Sequence, residues 1–187
     1  GAVTINTGGT LVMQSNAALG LGTAGTTVTS GAALRLEGGL TAAQNGALTL
    51  SGVGVASGGA LATGTTGDNR WANNITLGAD TTIKNNSSGV FDIGNNNTAY
   101  NRNNDPTGPA VPANDKNTLA LGSNTLTLAA SGTGITYINS RITGTGNLLI
   151  DNAAAATATW LTANQNTFTG TTTINKGTLG LNSIFNT

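Results

Sequence analysis

The sequence predicts an all-β chain: a right-handed parallel β-helix (β-solenoid) with short strands, Gly/Asn corners and one long loop insertion. Three observations carry this prediction. Apolar residues alternate with Thr, Asn and Ser over stretches of three to five residues, the period of a half-buried strand. Gly and Asn separate these stretches and supply the positive φ that sharp corners need. Leu11 to Leu34 and Leu126 to Leu148 are steps of 23 and 22 residues, and a period near 20 in β-rich units is the mark of a solenoid.

The elements follow in order. Val3-Thr4-Ile5, the corner Asn6-Thr7-Gly8-Gly9 and Thr10-Leu11-Val12-Met13 make the first unit. Thr27-Val28-Thr29, Ser30-Gly31-Ala32 and Ala33-Leu34-Arg35-Leu36 repeat it. Looser copies are 45–50 and 57–61. Ile75-Thr76-Leu77 with Thr81-Thr82-Ile83, and Leu119-Ala120-Leu121 with Thr125-Leu126-Thr127-Leu128, come next. Asn147-Leu148-Leu149-Ile150 and 172–181 complete the series. Ala153 to Ala156 is the only helix-like run, and four alanines do not nucleate a helix. A hairpin meander would also give short alternating strands. It would favour two-residue Asn-Gly or Asp-Gly turns, and only Asn45-Gly46 fits.

Residues 94–117 break the pattern. They hold Asn95-Asn96-Asn97, Tyr100, Arg102, Asp105, Asp115 and all three prolines of the chain. This reads as a loop insertion, between solenoid coils at 1–93 and 118–187, all in one domain.

Composition narrows the function. Thr (34), Gly (28) and Asn (25) make up almost half of 187 residues, and only 7% are charged, with a formal net charge of zero. Nucleic acid would need a basic surface, and none is visible in the sequence. No apolar run approaches the roughly 20 residues that cross a bilayer. There is no Cys and no His, so thiol chemistry and the commonest general base are absent. Low charge, high Thr, Asn and Gly and no Cys suggest an extracellular or cell-surface bacterial protein.

The stretch Asn166-Thr167-Phe168-Thr169-Gly170-Thr171-Thr172-Thr173-Ile174-Asn175-Lys176-Gly177-Thr178-Leu179-Gly180-Leu181 resembles the autotransporter-associated β-strand repeat. The usual pattern of that family reads N-x-[YF]-[ST]-G-x-T-x-I-x-x-G-T-L-x-[LV]. The resemblance covers 16 residues closely and the rest of the chain through its Gly-Gly-Thr-Leu and Gly-Ala-Leu corners. It implies a parallel β-helix, secretion and a surface location, and it brings no catalytic residues. The chain begins without Met and reads as a processed or excised segment. Joined end to start, its termini read as one uninterrupted family sequence. Neither terminus carries an evident cap, and solenoid ends need one.

The expected function is therefore structural or adhesive. The chain is expected to be one repeat of a tandem array, or a subunit stacking head to tail into a filament, with copies of itself as the partner. Val3, Ile5, Leu11, Ile174, Leu179, Leu181 and Phe185 are the expected interface residues. A contact loop is expected around Tyr100, Arg102, Asp105 and Asp115. The competing class is a polysaccharide-binding or polysaccharide-cleaving β-helix with a surface glycan as partner. Cleavage would need two facing carboxyls, for instance Asp92 and a residue one coil away. Asp105 and Asp115 offer oxygen ligands for calcium, but their spacing matches no calcium repeat. Trp71 and Trp160 are either sugar platforms or corner packing, and Arg70 beside Trp71 could make a small binding face. Threonine pairs at 125/127, 143/145, 157/159 and 171/173 are too irregular for an ice-binding ladder. No enzyme activity, cofactor or metal is expected.

Overall fold

The computed structural model describes residues 1–20, 23–42, 46–94, 117–153, 157–163 and 166–181. The chain winds as a β-solenoid of about six turns, and its strands fall on three faces. The first face holds β1 (Val3–Ile5), β3 (Thr26–Val28), β6 (Leu48–Gly52), the start of β9 (Ile75–Asn85), β11 (Thr118–Ala120) and β14 (Arg141–Thr143). The second holds β2 (Thr10–Met13), β4 (Ala33–Leu36), β7 (Leu61–Thr63), the end of β9, β12 (Leu126–Ala130), β15 (Leu148–Asn152) and β17 (Thr172–Lys176). The third holds β5 (Thr41–Ala42), β8 (Asn69–Trp71), β10 (Phe91–Ile93), β13 (Thr136–Ile138), β16 (Ala158–Leu161) and β18 (Thr178–Leu181). Because β9 runs unbroken through a corner, the first two faces form one twelve-stranded sheet beside a six-stranded third.

All these pairings are parallel, as coiling requires and a hairpin meander forbids. Period-2 alternation then sends one set of side chains inward in every turn. On the second face the inward column reads Leu11, Leu34, Leu61, Ile83, Leu128, Ile150 and Ile174, one residue per strand. Leu34, Leu61, Ile83, Leu128 and Ile150 are at most 1% exposed. Leu126 and Leu148 belong to the adjacent column, so the period read from the sequence joined two neighbouring ladders.

The corners follow from their chemistry. Gly8 and Gly31, stacked at successive first-to-second-face corners, have φ of 82° and 76°, a region closed to most side chains. At the second-to-third-face corner the buried residue is often polar. Thr63, Asn85, Ala130 and Asn152 stand in one register. Asn85 Oδ1 accepts from Thr63 Oγ1 (3.0 Å), Ser87 N (3.0 Å) and Ser87 Oγ (2.8 Å). Its amide donates to the Gly89 and Ile135 carbonyls. One side chain thus satisfies several polar groups of a largely buried corner.

The expected insertion at 94–117 lies outside the described residues except for its ends. Gly94 follows β10, and Asn117 leads into β11, whose Leu119 registers with Ile75. The coil resumes in step after the interruption.

Candidate functional site

Two regions stand apart from a uniform solenoid: the end coils, and one outward column on the third face.

Leu11 and Ile174 are the two ends of one inward ladder. Leu181 likewise ends the inward column Ala42, Trp71, Ile93, Ile138, Leu161. Both C-terminal ends are open: Ile174 is 53% and Leu181 71% exposed, although their neighbours one turn back, Ile150 and Leu161, are buried. Leu179 is half-buried against the core. At the other end Ile5 is buried, and Val3 and Leu11 are half-buried under the second turn. Phe185 lies outside the described residues.

The 16-residue motif owes its letters to its place in this last turn. Asn166 Oδ1 accepts the Ile142 N–H at 2.8 Å, and Phe168 packs on the core. A Cβ on Gly170 would collide with the Gly146 carbonyl, so only glycine passes there. Asn147, one turn earlier, accepts both N–H and Oγ1 of Thr171 through Oδ1.

The outward column of the third face reads Thr41, Arg70, Asp92, Tyr137, Trp160 and Gly180, in strict register. Arg70 donates to Asp92 Oδ2 from Nε (3.1 Å) and Nη2 (2.8 Å). The two side chains are 18% and 3% exposed, so the carboxylate is buried and the guanidinium is partly screened from solvent. Tyr137 and Trp160 are half-buried. A Cβ on Gly180 would run into Trp160 Cε3, Cδ2 and Cζ3. The indole therefore lies over the Gly180 backbone, and Gly180 is buried beneath it.

The register corrects several readings. One coil away from Asp92 stand Arg70 and Tyr137, not a second carboxyl, so the facing pair that cleavage needs is not assembled there. Asp68 and Asp80 are corner carboxylates accepting the Val90 and Thr125 N–H groups at 2.8 and 2.7 Å. Trp71 is fully buried and points inward, so it shares no binding face with outward Arg70. Its packing reading holds, whereas Trp160 stands on the outer surface. Thr157 and Thr159 are buried, not a surface pair. A regular threonine column does exist, Thr4, Thr27, Thr49, Thr76 and Thr143, broken by Ala120. Two residues on, the side chains change to Asn6, Thr29, Ser51, Gly78, Gly122 and Thr145, so it is one hydroxyl wide and makes no lattice.

Tyr100, Arg102, Asp105 and Asp115, and with them the calcium option, lie outside the described residues. Among the described residues no three His, Cys, Asp or Glu come together as a metal site, and no helix is long and apolar enough to cross a membrane. A polar cleft of about 360 Å³ is lined by Gln14, Glu37, Gly38, Thr65 and Thr66. Its carboxylate is engaged by Arg35 Nε at 2.7 Å.

Tyr137 and the Trp160–Gly180 contact escaped the sequence reading. The signal was present: Thr136-Tyr137-Ile138 and Thr159-Trp160-Leu161 repeat one polar-aromatic-aliphatic triplet at the solenoid period. No protein-family model, curated protein or solved structure matches the chain.

Proposed function

We propose that the chain is a structural or adhesive segment of a bacterial surface protein, a length of solenoid extended at its ends by further turns. The following turn belongs either to the next repeat of a tandem array or to a second copy stacked head to tail. The observation that carries this reading is the pair of exposed inward residues, Ile174 and Leu181. An inward position that sees solvent costs the burial energy its ladder neighbours gain, about 1.5–3 kcal/mol for a full aliphatic side chain. A further turn in the same register would recover it and would pair the outer edges of β17 and β18. The occupant that fits is the first turn of another copy. Leu11 stands in the same column as Ile174, so copies joined in register would continue one ladder. The resemblance of 166–181 to the autotransporter-associated repeat supports the surface location.

The isolated chain is expected to form open filaments. Negative-stain electron microscopy at rising concentration should show rods much longer than one copy. The double variant Ile174→Lys/Leu181→Lys should abolish them while leaving the far-UV circular dichroism unchanged. Monodisperse monomers of the unmodified chain at all concentrations would exclude stacking of copies.

A further inference from the structure

We propose that the outward column of the third face binds a neutral glycan chain, with Trp160 and Tyr137 as its stacking platforms. Two aromatic residues sit on adjacent strands, about 4.8 Å apart along the solenoid axis. The Trp160 ring lies against Gly180, and that glycine is what allows it to lie flat. One π face is thus fixed on the backbone, and the residue stays partly open to solvent. A flat ring held by the sheet gives up little conformational freedom when a ligand stacks on it.

The flanks suit a sugar. Two residues after Tyr137 and Trp160 come Asn139 and Thr162, which are hydrogen-bonded to each other. The Thr162 hydroxyl also lies 3.0 Å from the Ile138 carbonyl, so its one proton is shared between two acceptors. Two residues before them come Ile135 and Ala158, both half-buried. Along the chain the aromatics are thus preceded by an aliphatic pair and followed by a polar pair. A pyranose matches this make-up, since one ring face presents C–H groups and the rim presents hydroxyls. Aromatic surfaces with a few convergent polar groups are the usual make-up of such sites.

Charge selects among ligands. The charged members of the column, Arg70 and Asp92, neutralise each other at 2.8 Å. No cationic side chain remains in the column for a phosphate or a uronate, so nucleic acids and acidic polysaccharides are disfavoured. A lipid chain would want a concave apolar groove, and this face is a sheet surface. The strands run across the axis, so a glycan lying along the column meets Tyr137 and Trp160 in succession. The inference is independent of stacking at the ends, because the column involves neither Ile174 nor Leu181.

The test is affinity electrophoresis of the whole chain in native gels that hold a soluble neutral polysaccharide. Separate gels would contain a mixed-linkage β-glucan, a xyloglucan and a galactomannan. Retardation is expected in at least one gel, and Trp160→Ala should weaken it about tenfold or more. Tyr137→Ala should weaken it as well. Gly180→Ala keeps the indole but lifts it off the backbone, and should weaken binding several-fold. Arg35→Gln, on the second face, should leave it unchanged. In Trp71→Phe, Trp160 becomes the sole tryptophan, and its emission should shift on titration with the bound polysaccharide. No retardation in any of the three gels would overturn the proposal. So would a Trp160→Ala variant retarded like the unmodified chain.

Discussion

Asn85 shows what a single residue does in a solenoid this thin. It is 1% exposed, and its amide holds Thr63, Ser87, Gly89 and Ile135 together at one corner. Replacing it with Ala would strand several buried donors and acceptors at once. Asn85→Ala is expected to cost about 3 kcal/mol, read as a lowered midpoint in urea. Asn85→Asp keeps the acceptor but sets a buried carboxylate against the Gly89 and Ile135 carbonyls, and should cost at least as much. Arg70 and Asp92 behave similarly on the outside. Asp92 is buried although it points outward, so removing its guanidinium leaves a poorly solvated charge. Arg70→Met should destabilise by about 2 kcal/mol. Arg70→Lys should recover only part of that loss, because a single ammonium cannot donate from two fork positions.

At the scale of the element, one inward ladder contains residues of identical type and very different worth. Ile83 and Ile174 occupy the same column. Ile83 is 1% and Ile174 53% exposed. Ile83→Ala should cost about 3 kcal/mol, the usual cost of a cavity in a packed core. Ile174→Ala should cost less than about 1 kcal/mol in the monomer. Chemical denaturation of the two variants at low protein concentration checks the contrast. If copies stack, the Ile174 variant should also lose stability at high concentration relative to the unmodified chain, because burial there comes with association.

The whole molecule is an axis with three unlike outer faces. The first carries mostly uncharged threonine. The second carries Arg35, Lys84 and Asp151 among its outward positions. The third carries the ion pair and the two aromatics. Each turn touches only its neighbours, so the stability of the molecule is close to a sum over turns and the interfaces between them. Its weakest interfaces are at the ends. Amide hydrogen exchange should therefore be slowest at Leu61, Ile83 and Leu128 and fastest in β17 and β18, with protection of β17 rising if filaments form.

The sequence by itself determined the fold class, the corners and the alternation, because those rest on local chemistry: period-2 burial, and glycine at positive φ. Within 166–181, Asn166 and Gly170 each answer a constraint from the adjacent turn. Which residues share a column was decided only by the tertiary structure. Register depends on how many residues each corner consumes, and β9, which runs through a corner without a break, changes that count without a local mark. The steps of 23 and 22 residues therefore joined two different ladders, and Asp92 was sought beside a carboxyl when it stands between Arg70 and Tyr137. For the same reason Trp71 went inside while Trp160 stayed on the surface: one position of register reverses the face on which a strand residue lies.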